Sequence, residues 1–149
     1  MNYEDFNQII DFVRNYADRH HHGKEENMLF NRMMLELGET ADKLVRHGMM
    51  VEHDMGRLYM QDLEFAVKSV LEGEDEARLD VIANAISYTH LMNRHIDKED
   101  KVIYVYAQKN LLNATQDAIN SECEAYENSE TARQAREKYI PLLEKMESK

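Results

Sequence analysis

The 149-residue chain has no tryptophan, one proline, one cysteine and only five glycines. Scarce proline and glycine remove the usual breakers of regular structure, and abundant Ala, Leu, Met, Glu, Lys and Arg favour helix throughout. The lone Cys123 cannot close an internal disulfide, which fits a reducing compartment. No histidine lies near it in sequence, so it reads as a small buried filler rather than a nucleophile. No apolar run is long enough to span a bilayer and no basic-then-apolar leader is present, so the expected location is the cytoplasm. Basic residues are in the minority, 18 Lys and Arg against 29 Asp and Glu, for a formal charge of −11. Clustered basic side chains are what recognise phosphate backbones and anionic lipid, so neither nucleic acid nor a membrane surface is expected as a partner. A glycine-rich phosphate loop, a Gly-x-Ser-x-Gly elbow and a Cys-x-x-Cys pair are also missing. The length suits a single domain over residues 1–149.

What the chain does have is a ten-residue pattern that occurs twice. His21-His22-Gly23-Lys24-Glu25-Glu26-Asn27-Met28-Leu29-Phe30 and His95-Ile96-Asp97-Lys98-Glu99-Asp100-Lys101-Val102-Ile103-Tyr104 both read His-x-x-Lys-Glu-acid-x-apolar-apolar-aromatic. Residues four apart on an α-helix stand about 40° apart, so the histidine and glutamate of each copy reach one point. Imidazole nitrogen with carboxylate oxygen suits iron, zinc or manganese. Two such pairs on facing helices build a two-metal carboxylate site in a bundle core.

Helical periodicity places the remaining residues. A first long helix is predicted from Tyr3 to about Glu36, with Ile10, Val13, Ala17, His21, Glu25 and Met28 on one stripe. His21 falls on that stripe, whereas His20 and His22 swing to either side. This favours the pair His21/Glu25 over His22/Glu26 and leaves His20 on the surface. A turn at Gly38-Glu39-Thr40 precedes a second helix to about Glu72, on which His53 shares the apolar seam with Met49, Gly56 or Met60, and Val67. With two candidate metal pairs on neighbouring helices, His53 is taken as a ligand rather than a hydrogen-bonded core histidine. His47 and His90 fall on other faces. Gly73-Glu74-Asp75 opens a third helix to Leu112, whose stripe holds Ile82 or Ala85, Tyr88, Leu91 or Met92, His95, Glu99, Val102 and Tyr106. A fourth helix follows Asn113-Ala114-Thr115 and covers about 115–147, with solvated Glu122, Glu124 and Glu127 and a kink or break expected near Pro141. The fold class is therefore all-α, an antiparallel bundle of four long helices.

Three ordered blocks, Arg19 to Glu26, Met50 to Arg57 and His95 to Asp100, make the chain resemble the hemerythrin-like, His-His-Glu cation-binding family. The resemblance spans most of residues 6–107. It implies an up-and-down bundle around a non-haem di-iron centre, with His21, Glu25, His53, His95 and Glu99 as metal ligands and both glutamates bridging. Zinc or manganese is the alternative occupant. Family members usually carry a further histidine on an earlier helix, but no histidine precedes His20 here. An upstream segment, the C-terminal helix or a second copy of the chain could fill that side, and an uncovered seam leads us to expect a homodimer.

The resemblance implies a protein that binds or senses dioxygen, nitric oxide or iron. A di-iron oxidoreductase acting on peroxide or nitric oxide, and a structural helical protein with an incomplete site, are the competing readings. Tyr88, Tyr104 and Tyr106 lie near the site in sequence; Tyr106, on the stripe of His95 and Glu99, could hydrogen-bond a bound oxygen species, and core packing with a satisfied hydroxyl is its simpler role.

Overall fold

A computed structural model describes residues 1–148, and every regular element among them is helical. Helix α1 (Tyr3–Phe12) is started by Asn2, whose side chain accepts the Glu4 N–H at 3.2 Å. The chain then winds on through π-helical turns at Val13–His22 and Glu25–Phe30 into α2 (Asn31–Leu44). Backbone angles stay right-handed helical at the junctions, so these changes of pitch do not break the rod. The break comes at Gly38, whose φ of 69° only glycine adopts without strain, in the turn expected from the sequence. A third π-helical stretch, Val45–Met49, leads into α3 (Met50–Leu71). Gly73, with a φ of 104°, turns the chain into α4 (Arg78–Lys98). A fourth π-helical stretch, Glu99–Ile103, continues into α5 (Tyr104–Asn110), followed by α6 (Asn113–Glu127) and α7 (Glu130–Glu147).

The longest helices, α3 with 22 residues and α4 with 21, form an antiparallel pair. A Cβ on Gly56 would touch Tyr88 and Met92, and one turn earlier on α3 Glu52 meets His95. Residues 3–37 lie along both. Two separate apolar cores result. One joins Ile10 and Val13 to Met60, Leu63, Val67 and Val81; the other joins Phe30 and Met33 to Val45, Met49, Ile103 and Ala107. Phe30 and Met33 are fully buried and each contributes about 1.5–3 kcal/mol by burial. Between the two cores lies a belt of buried polar side chains, His22, Glu25, His53, His95 and Glu99. Burying such groups is costly unless something satisfies them.

Helices α6 and α7 fold back along the outside of residues 3–37. Lys138 and Tyr139 hydrogen-bond Asp11, Arg32 bonds Glu122, and Glu36 accepts from the Leu112 N–H and the Thr115 hydroxyl. The first turn of α6 is therefore capped by Glu36 rather than by its own Asn113-Ala114-Thr115. Glu127 takes hydrogen bonds from His20, Lys24 and Arg136. Two expectations are corrected here. His20 is buried, not superficial, because Glu127 and the rings of Tyr16 and Tyr126 enclose it. Glu122, Glu124 and Glu127 join neither candidate metal group, as expected; Glu122 and Glu124 are exposed, while half-buried Glu127 pairs with Lys24 and Arg136. The C-terminal helix breaks at Asn128-Ser129, where the Ser129 hydroxyl accepts the Ala132 N–H, and not near Pro141. Pro141 sits inside α7 on an exposed face, where water can take the carbonyl its missing N–H leaves free.

Candidate metal centre

His53 on α3 and His95 on α4 point at each other across the helix pair, Nε2 to Nε2 at 3.2 Å. The outward nitrogen of each is tied to a carboxylate. His53 Nδ1 lies 2.7 Å from Glu26 Oε1, and His95 Nδ1 lies 2.9 Å from Glu52 Oε2. His22 Nδ1 lies 3.3 Å from Asp18, and the His22 ring stacks on His53 at 3.9 Å and 8°. A carboxylate only accepts, so Nδ1 of His22 and of His53 carries a proton and the neutral ring presents a lone pair at Nε2, whereas His95 has a carboxylate at each nitrogen, Glu52 at Nδ1 and Glu99 2.9 Å from Nε2. Histidines oriented in this way by outer carboxylates are how proteins prepare imidazoles for a metal.

Those carboxylates are themselves held. Arg57 bonds Asp18, Glu26 and Asp54 at once, and Lys98 bonds Glu52. Burial would raise the Asp18 carboxyl, but His22 and Arg57 outweigh it and bring it down to about 2. Glu26 and Glu52 are likewise lowered against their burial, Glu26 by His53 and Arg57 and Glu52 by Lys98 and His95.

The inner carboxylates differ. Glu25 is pushed up to about 8 by burial first and then by the charge of Glu99, while its hydrogen bond from Tyr104 acts the other way. Glu25 Oε2 and Glu99 Oε1 are buried without a hydrogen-bond partner, although His53 Nε2 lies 3.6 Å from the former and His95 Nε2 2.9 Å from the latter. An unsatisfied buried acceptor costs about 1–3 kcal/mol, and more when charged. His53 is pushed down to about 4 by burial and by His22, so it stays neutral; burial would lower His95 too, but the close Glu99 and Glu52 carboxylates outweigh it and raise it. Converging lone pairs and orphaned carboxylate oxygens are the surroundings of a cation. The nitrogen and oxygen donors fit iron, zinc or manganese.

Among the described residues, two groups could hold an ion. The atoms of His22, Glu25, His53 and His95 lie within 4.8 Å of one another, and so do those of His21, Glu25 and Glu99. Glu25 belongs to both. One family profile, described as the hemerythrin HHE cation binding domain, matches residues 2–107. The chain belongs to that family. Neither a curated protein nor a solved structure matches the chain at a significant level. Helices α6 and α7 lie beyond the matched region of the HHE domain and bring no side chain to either group.

All five residues singled out from sequence fall in one group or the other. His21 is the least enclosed, its side chain 51% exposed, and it lies 3.7 Å from Glu25. His22, expected to leave the apolar stripe, is buried against His53. The reason is pitch. Through Val13–His22 the backbone bonds run i to i+5, so the chain turns less per residue and one more residue is needed to regain the inner face. The same slip follows Glu99–Ile103. Ile103 and Ala107 are buried where Val102 and Tyr106 were expected, and it is Tyr104 whose hydroxyl donates to Glu25. Ile82, also placed on the stripe, is exposed and Val81 is buried in its stead. Sequence reasoning weighed Glu26 only as a partner of His22 and gave no role to Asp18, Glu52 or Arg57. Only Asp18, four residues before His22, carries a local signal for its role.

A cavity of about 150 Å³ opens beside His22 and His53. Val13, Gly56, Met60 and Tyr88 line it, with Asp18 and Arg57 nearby. It has room for a few molecules of water size.

Proposed function

We propose that this HHE domain is a non-haem di-iron protein that binds or senses dioxygen or nitric oxide. Three imidazoles clustered within ligand distance of one another, with Glu25 shared between two donor groups, carry the reading. In it His22, Glu25, His53 and His95 hold one ion, and His21, Glu25 and Glu99 hold the second. Glu25, common to both groups, would serve both ions. A ferrous pair supplies the ability to bind and reduce small diatomic molecules. The chain's own residues do the rest. Asp18, Glu26 and Glu52 fix the imidazole tautomers, Arg57 and Lys98 keep those carboxylates ionised, and the two apolar cores exclude water from either end. The cavity beside His22 supplies room for a small ligand.

The four helical runs would form one up-and-down bundle acting as a single cytoplasmic domain. No described helix is long and apolar enough to cross a membrane. Exposed Leu79, Ile82 and Ile86 on one flank of α4 favour a homodimer, which light scattering tests.

A second reading has its own support. Three histidines and one glutamate make a four-donor set that suits a single zinc ion, while the half-exposed His21 makes the other group looser. Metal analysis of protein purified without added metal, then anaerobic ferrous loading and admission of air, separates the two. About two irons per chain with an absorption band appearing only in air supports the di-iron reading. One zinc and no spectral response supports the other.

A further inference from the structure

Glu25 is the carboxylate common to both donor groups, and its Oε1 accepts a hydrogen bond from the Tyr104 hydroxyl. That oxygen faces the exposed group, since His21 Nε2 lies 3.7 Å from it, whereas Oε2 faces His53 at 3.6 Å and has no hydrogen bond. The remaining supports are uneven. His22, His53 and His95 each have an outer carboxylate, but His21 has none and is half-exposed. The three-imidazole group is thus built to hold an ion by itself. The other group depends on Glu25 keeping one oxygen turned towards it.

We infer that Tyr104 is a positioning residue that holds Glu25 across both groups, and that the chain binds its two metal ions unequally, the second only while Tyr104 keeps Glu25 Oε1 on the His21 and Glu99 side. This rests on the metal-binding reading above. Without the tyrosine hydroxyl, Glu25 is free to rotate and give both oxygens to the three-histidine group. The second ion then loses a donor and the first loses nothing. Partners that orient a metal-binding side chain are typically worth about 10–100-fold in affinity.

Calorimetric addition of zinc to the full metal-free chain tests this, with metal counted per chain after gel filtration. The native protein should show two events of different affinity. Tyr104→Phe should weaken the second about 10–100-fold, leave the first within about twofold, and lower the retained metal from two towards one. Glu99→Gln, which removes a donor from the same group, should weaken the same event. Equal melting temperatures of metal-free native and Tyr104→Phe protein establish that the fold is intact. Unchanged binding in Tyr104→Phe, or equal weakening of both events, overturns the inference while the metal reading stands. A native chain that takes up a single zinc overturns it likewise. A native chain that takes up no metal overturns the reading and the inference together.

Discussion

His53 and His95 stand Nε2 to Nε2 at 3.2 Å, each with its far nitrogen committed to a glutamate, Glu26 and Glu52 respectively. Two lone pairs at that separation repel unless a proton or a cation lies between them. Replacing His53 by Gln should therefore abolish most of the stabilisation that metal gives. A metal bound only to the native state at about 100 times its dissociation constant adds about 2.7 kcal/mol. The rise in melting temperature on adding ferrous iron or zinc should be clear in the native chain and nearly absent in the variant. An equal rise in both would place the ion elsewhere.

His21 and His22 make a sharper comparison. His22 is buried, stacked on His53 and backed by Asp18; His21 is half-exposed with no such partner. His22→Ala should cost more metal affinity than His21→Ala, and should also leave a void beside His53. Metal content of the two purified variants, measured side by side, decides it. Larger loss from His21→Ala would restore the inner face expected from uniform α-helical spacing.

Glu127 joins α6 to the first helical run through His20 and Lys24. Burial alone would raise its carboxyl, but Lys24 and His20 outweigh that and hold it below its ordinary 4.5. The sign follows. Its contribution is complete above the ordinary value and disappears as pH falls through the lower native one. Glu127→Ala should cost about 1–3 kcal/mol near neutral pH, and the gap to native should close in acid. Metal uptake should not change. Urea melts at about pH 7 and about pH 3 read the gap.

The glycines give opposite signs. A Cβ at Gly56 would meet Tyr88 and Met92 carbons at 3.5 Å, ordinary contact distance, so Gly56→Ala should stabilise α3 by about 0.5–1 kcal/mol. At Gly38 the φ of 69° makes alanine strained, and Gly38→Ala should cost about 1–2 kcal/mol. Thermal melts of the two variants should move in opposite directions.

Much of this was legible in the sequence. His53, Met60 and Val67 lie on the buried face of the regular helix α3, and there a spacing of 3.6 residues placed each of them. The turns at Gly38 and Gly73 announced themselves by residue type. The slips from His21 to His22 and from Val102 to Ile103 were not legible, because nothing in the local residues declares an i to i+5 bond. Nor were the contacts of Tyr104 with Glu25 and Glu127 with His20, which join residues 79 and 107 positions apart through packing alone.

Three consecutive histidines emerge from the π-helical stretch into three surroundings: His20 against Glu127, His21 at the rim, His22 against His53. A rod that carries the same side chain at three successive angles is tolerant of its own phase. Were the winding to tighten by a single residue, a neighbouring imidazole would rotate into the place of the one withdrawn. The triplet thus works as a vernier, presenting an imidazole to the interior over a range of twist that a solitary histidine would miss.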